Sequence, residues 1–281
     1  MTRLPFRQVD VFPGSPLRGN PVAVALDADG IDEEAMRAFA RWTNLSETTF
    51  VLPPTEQGAD YRLRIFTPAA ELPFAGHPTL GSAHAWAEHT GSTDDRLVQQ
   101  CGVGLIDVRR TDDGWALAAP PLVRSGPASE EERAAVARGL AVDPGELLAV
   151  EWVDNGPGWI LAVLRDAEAV LAIEPELTAM SVDVGVIGPH APGGPADYEV
   201  RAFVPALGVP EDPVTGSLNA GIASWFFASG RASGTYTVRQ GTRVGADGLV
   251  RVSQEGGRIW IAGATRTVVT GTVDLLSLIH I

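Results

Sequence analysis

The sequence predicts an α+β protein of two similar halves, each a sheet wrapped around one central helix. Three observations carry this. Strand-like and helical segments alternate along 281 residues, a length comfortable for two cores. A short motif occurs once in each half. Each occurrence leads into a helix with almost no charge on any face.

Phe6 to Phe12 and Val22 to Leu26 read as strands, punctuated by Pro13-Gly14-Ser15-Pro16 and Gly19-Asn20-Pro21. Asp32 caps a helix to about Trp42, with Glu33 and Glu34 in its first turn. Ala35, Met36, Phe39 and Ala40 keep helical spacing, and Asn44 is the stop. Thr48 to Leu52 and Tyr61 to Phe66 return to strand chemistry. Leu97 to Val108 is strand-like and holds Cys101, expected as a small core residue. The Pro-rich stretch Ala119 to Pro127 reads as a linker. Ser129 and Glu132 form a capping box opening a helix that ends near Gly139. Gly188 to Ala196, rich in Gly and Pro, reads as a loop.

The motif in the first half is Arg64-Ile65-Phe66-Thr67-Pro68, followed by Gly76-His77-Pro78 and an apolar stretch to Gly91. In the second it is Arg201-Ala202-Phe203-Val204-Pro205, followed by Thr215-Gly216-Ser217 and an apolar stretch to Gly230. Both read as a strand, a loop, a Gly-led helix start and a Gly stop. Pro78 sits in the first turn, where Pro is tolerated. A helix apolar on every face is buried on every face. The expected halves are residues 1–120, with a central helix near 78–89, and 121–281, with one near 217–229. The last strand is free to return to the N-terminal half.

Composition excludes several function classes. The net charge is −14, from 35 acids against 21 bases, and no basic run supports nucleic-acid binding. No apolar run approaches the roughly 18 residues of a membrane span, and no secretory signal is recognisable, so a cytoplasmic location is expected. All 21 bases are Arg. Without Lys there is no Schiff-base holder for pyridoxal phosphate and no Walker-type loop. One Cys excludes an internal disulfide and a thiol pair. His84 and His89 follow His77 on one helix, but His89 points away from the other two, so no metal is expected.

Two helix starts in one cleft would present unpaired N–H groups and positive dipole ends to a carboxylate, and would stabilise an enolate-like charge. Either Gly alone reads first as a tight turn; the pairing reverses that preference in favour of an anion site. His77, Asp212, Ser217 and Glu47 lie near these turns or in similar polar breaks. Structural alternatives are capping for Asp212 and Ser217, a satisfied buried imidazole for His77 and an exposed loop acid for Glu47. A carboxylate and an imidazole in one enclosed site are suitable general acid–base groups.

Gly19-Asn20-Pro21, Asn44-Leu45-Ser46-Glu47-Thr48-Thr49-Phe50, Arg64-Ile65-Phe66-Thr67-Pro68, Glu71-Leu72-Pro73-Phe74-Ala75-Gly76-His77-Pro78-Thr79 and Glu211-Asp212-Pro213-Val214-Thr215-Gly216-Ser217 together resemble the PhzF family of phenazine-biosynthesis isomerases. The match runs in order along nearly the whole chain. The resemblance implies a diaminopimelate epimerase-like fold of two pseudo-symmetric halves, each a curved, mostly antiparallel sheet around a buried helix. It implies a homodimer, no cofactor, and isomerisation of a small carboxylated substrate, as with trans-2,3-dihydro-3-hydroxyanthranilate. By motif, Glu47 becomes the acid–base, and His77 and Asp212 orient the substrate. Gly76, Gly216, Ser217 and Asn20 bind it. Glu47 must then accept and return a proton near neutrality, which calls for a raised pKa when the site is closed on ligand.

Two departures bear on the substrate. Asn155-Gly156-Pro157-Gly158 stands where phenazine-type members resemble Asn-Gly-Pro-Arg. Gly245-Ala246-Asp247 follows Gln240-Gly241 where they tend to carry Gly-Arg-Pro. Each loses an Arg. The related epimerases use two cysteines, which this chain lacks. Two rival functions stand beside the isomerase: an epimerase or racemase of a small amino or hydroxy acid, and a non-catalytic carboxylate-binding protein. Leu275 to Ile281 departs from the family pattern and carries no functional weight.

Overall fold

Eight strands of the computed structural model, which describes residues 2–205 and 209–275, close into a ring in the first of two units. That unit runs from Met1 to Ala118 and resumes at Ala262; the second is Ala119–Ile261.

In the first unit, β1 (Thr2–Val11) is antiparallel to β2 (Asn20–Ala25). Strand β2 runs parallel to β3 (Glu47–Leu52), the crossover being α1 (Glu33–Thr43). Strand β3 is antiparallel to β4 (Tyr61–Phe66), which carries the short β5 (Glu71–Leu72). A second parallel crossover, α2 (Gly76–Thr90), leads to β6 (Arg96–Cys101) beside β4. Antiparallel β7 (Gly104–Arg110) and β8 (Gly114–Ala118) follow. The long β17 (Arg258–Leu275) then pairs with both β8 and β1. A closed ring leaves no unpaired edge. Helix α2 touches β1, β2, β3, β4, β6 and β8, so it lies inside the ring.

The second unit repeats this succession. Strand β9 (Arg124–Pro127) pairs with β10 (Ala149–Asp154), and β10 is antiparallel to β11 (Ile160–Val163). Between β9 and β10 lies α3 (Glu130–Leu140), opened by the Ser129–Glu132 capping box. Parallel β12 (Val184–Pro189) follows through α4 (Ala167–Ala172). Then come antiparallel β13 (Tyr198–Val204) and the short β14 (Val209–Asp212). Helix α5 (Gly216–Ala228) crosses to parallel β15 (Thr235–Gln240), with antiparallel β16 (Gly248–Glu255) next to it.

The repeat extends to side chains. Arg64 of β4 grips Glu71 of β5 at 2.6–2.7 Å, and Arg201 of β13 grips Glu211 of β14 at 2.8–3.2 Å. Both central helices need glycine at one position. A Cβ on Gly81 would stand 2.3 Å from Val22 Cγ1, and one on Gly221 would stand 2.2 Å from the Val153 carbonyl oxygen.

Several expectations need correction. Part of the Ala119–Pro127 stretch is strand β9 rather than linker. Pro120 and Pro121 precede the strand and Pro127 ends it, so no ladder N–H is lost inside. Gly188 and Pro189 belong to β12, and the loop begins at His190. Cys101 is half-buried at the end of β6, its thiol 3.6 Å from the Gly104 carbonyl, and is not core. Helices α2 and α5 are fully enclosed only through Ala83 and Ala223; Trp86, Trp225 and Phe227 reach partial exposure. Residues 276–281 of the discounted tail lie outside the described residues.

Candidate active site

Glu47 is the first residue of β3. Two residues on, Thr49 Oγ1 lies 2.9 Å from Ser82 Oγ of α2. Strand side chains alternate, so Glu47 shares the helix-facing side. It is buried, at 9% exposure, which removes the loop-acid alternative. His77, second residue of α2, is also buried, and its Nε2 lies 3.2 Å from Glu47 Oε2 without hydrogen-bond alignment. Burial pushes His77 down to about 3, so its imidazole is neutral at pH 7. A neutral ring keeps one donor and one acceptor nitrogen.

Helix α2 starts at Gly76 with no side-chain cap from Ala75. Asn20 heads β2 and is fully buried. Its turn is held by Asp10, a residue the sequence reading passed over. The Asp10 carboxylate accepts from the Leu17 and Gly19 N–H groups at 2.9 Å each. A Cβ on Gly19 would meet the Val11 carbonyl at 2.2 Å, so the turn requires Gly.

The other predicted residues lie in the second unit. Helix α5 starts at Gly216, and Thr215 gives it no side-chain cap. Neither Asp212 nor Ser217 is a helix cap. Asp212 Oδ2 accepts from Thr215 Oγ1 at 2.5 Å, and Gln240 Nε2 donates to the Asp212 carbonyl at 3.1 Å. Ser217 Oγ accepts from Trp159 Nε1 at 3.1 Å, and Asn155 Nδ2 donates to the Ser217 carbonyl at 2.9 Å. The departure motif Asn155-Gly156-Pro157-Gly158 therefore lies against the head of α5. Gly158 has φ +94°, a conformation that resists the Arg of the family pattern. At the other departure, Asp247 pairs with Arg239 at 3.0 Å.

A second overlooked residue is Asp183, just before β12. Burial, reinforced by the neighbouring Asp212 carboxylate, pushes it up to about 6. Its signal was available in the sequence only by extending the internal repeat backwards from Arg201.

A family model described as phenazine biosynthesis-like protein matches residues 9–273. The chain belongs to this family. It is 34% identical to the trans-2,3-dihydro-3-hydroxyanthranilate isomerase of Pseudomonas fluorescens, over 95% of this chain and 98% of the relative. It is 35% identical to Antisense-enhancing sequence 1 of Schizosaccharomyces pombe, over 96% and 99%. A crystal structure of a PhzF-family protein from Enterococcus faecalis superposes with TM-score 0.79 at 26% identity, covering 98% of this chain and 100% of that one. The chain is accordingly an enzyme of the isomerase class, and its PhzF fold is a barrel-like sheet with few helices. Among the described residues no cluster of metal-ligating side chains exists, and no helix is long and apolar enough to cross a membrane.

Proposed function

We propose that this PhzF-family protein relocates a proton on a small carboxylated substrate of the trans-2,3-dihydro-3-hydroxyanthranilate type, with Glu47 as the acid–base. The observation carrying this reading is the buried Glu47–His77 pair at the uncapped start of α2. Glu47 takes a proton from one carbon and returns it to another, and the C=C bond moves between them. Neutral His77 orients the substrate with one hydrogen bond and contributes no competing charge. The open N–H groups at the head of α2, beginning with Gly76, stabilise negative charge as it develops on the substrate. Asp212, Ser217, Gly216 and Asn20 are assigned to substrate binding by the family motif. Because Gly158 and Ala246 stand near the positions that lose an Arg, the preferred substrate differs from the phenazine precursor in its anionic group or its size. Independence from cofactors and a homodimer belong to this reading; sedimentation as a monomer would remove the latter.

The test is NMR in D2O with trans-2,3-dihydro-3-hydroxyanthranilate and a panel of small carboxylates, using wild type and Glu47→Gln. Deuterium uptake or a shifted double bond with wild type alone supports the assignment. Equal turnover by Glu47→Gln overturns it. The non-catalytic receptor reading would have gained from a solvent-exposed Glu47, and the side chain is buried; it gains if replacing Glu47 leaves ligand binding and biological activity intact. An epimerase needs two proton-holding groups on opposite faces of the substrate, and in that reading Glu47 is opposed by Asp212 or His77. Inversion of configuration with no change in bond order would favour it.

A further inference from the structure

Thr48 of β3 is paired with Phe66 of β4, and Val184 of β12 is paired with Phe203 of β13. Phe66 and Phe203 are the same residue of the repeated motif, Tyr61-Arg62-Leu63-Arg64-Ile65-Phe66 against Tyr198-Glu199-Val200-Arg201-Ala202-Phe203. Thr48 and Val184 are therefore equivalent, and the residues before them are Glu47 and Asp183. The internal repeat places a carboxyl group at the same strand entry in both units.

The two groups also share a direction. A Cβ on Gly185, two residues after Asp183, would stand 2.4 Å from Leu218 Cδ1 of α5, just as Thr49 meets Ser82 of α2. Val184 and Val186, of opposite parity, belong to the core on the other side of the sheet. Trp159, at the strand entry next to Asp183, reaches Ser217 at the head of α5. Ser217 is the second residue of α5 and so stands where His77 stands in α2.

In the first unit the strand-entry acid faces an imidazole. In the second it has Asp212 for a neighbour, whose carboxylate accepts a hydrogen bond from Thr215. Two carboxylates side by side resist ionising together, so the pair holds one proton.

We propose that Asp183 is the second unit's counterpart of Glu47, a positioning residue that holds a proton beside Asp212 and thereby sets the charge at the head of α5. Below neutrality the pair carries one negative charge. When Asp183 ionises it carries two, and a carboxylated substrate is repelled from that helix start. The upward shift of Asp183 agrees with this arrangement. Asp212 is the ionisable group acting on Asp183. The neighbouring Trp159 and Ile160 of the β11 side, Phe203 and Val204 of β13, and Ser217 and Leu218 of α5 do not titrate. The role in substrate binding rests on the function proposed above; the shared proton does not.

The experiment is a carbon-detected titration of Asp side-chain carboxyls in the full chain, for wild type, Asp183→Asn and Asp212→Asn. One Asp titrating near 6 is expected. That signal should vanish in Asp183→Asn and move toward the ordinary carboxylate range in Asp212→Asn. No such signal, or one unmoved by Asp212→Asn, overturns the proposal. If Asp183→Asn does not fold, Asp183→Glu assigns the signal by shifting it. With an active substrate in hand, kcat/KM of wild type should fall above that titration while Asp183→Asn stays flat. A titrating Asp183 with no active substrate would count against the proposed reaction and leave the carboxyl pair standing.

Discussion

The repeated Arg–Glu clamp offers a direct measure of what burial does to one interaction within a single chain. Arg201 and Glu211 have side chains 4% and 5% exposed; Arg64 and Glu71 have side chains 24% and 30% exposed. The perturbation is Glu211→Gln against Glu71→Gln, which keeps shape and removes one charge. In the buried pair, Arg201 keeps hydrogen bonds to the Ile173 and Val170 carbonyls at 2.6 and 3.3 Å, but its charge loses the Glu211 carboxylate. Breaking a buried pair from one side costs about 3–5 kcal/mol, because the remaining ion stays desolvated. Arg64 still reaches Glu33 at 2.7 Å and water, so Glu71→Gln should cost about 1 kcal/mol or less. The difference of at least about 2 kcal/mol corresponds to more than a tenfold change in the folded-to-unfolded ratio, since each 1.4 kcal/mol is about a factor of ten. Urea unfolding by linear extrapolation reads it, with hydrogen exchange of β13 and β4 reporting each unit separately. Equal losses for the two substitutions would refute the reasoning that burial, rather than geometry, decides the value of this clamp.

The central helices make a sharper packing prediction. Gly221→Ala drives a methyl into the backbone carbonyl of Val153 and Gly81→Ala drives one into the end of the Val22 side chain. Both should lower the melting temperature, Gly221→Ala more, with overpacking costs of about 1–3 kcal/mol or above; a neutral Gly221→Ala would contradict the close approach. His77 adds a pH dependence. The unfolded chain binds a proton at His77 below its ordinary value of 6.5, while the folded chain keeps it neutral down to about 3. The unfolded state therefore holds more protons in that window, and stability drops as pH falls from 6.5 towards 3, by at most about 1.4 kcal/mol per unit. His77→Asn should flatten that slope in urea melts at pH 7 and 5; an unchanged slope would show that His77 is not buried neutral.

Local chemistry was legible where the interaction partners are close in sequence. Asp32 does cap α1 through the Ala35 N–H, Asn44 does end it in the left-handed region, and the Ser129–Glu132 box is closed from both sides. The Glu211 that grips Arg201 and the Glu71 that grips Arg64 stood in the quoted motifs, but only the short hairpins β4–β5 and β13–β14 make them partners. Linker and loop readings failed at Arg124–Pro127 and Gly188–Pro189 because composition reports turn propensity, whereas a neighbouring strand decides whether a ladder forms.

By itself the sequence determined that the chain repeats, where each central helix begins, which side chains are chemically able to move a proton, and that Lys and thiol-pair chemistry are absent. Those properties depend on residue type and short spacing. The tertiary structure decided that β17 closes the first ring, that Glu47 meets His77 across 30 positions of chain, and that Asp183 takes Glu47's place in the second unit. The first depends on antiparallel pairing between the two ends of the chain, and the other two on strand register across a parallel crossover. A shift of one residue would turn either acid to the opposite side of its sheet, and register is set by packing around the buried helices rather than by any local signal.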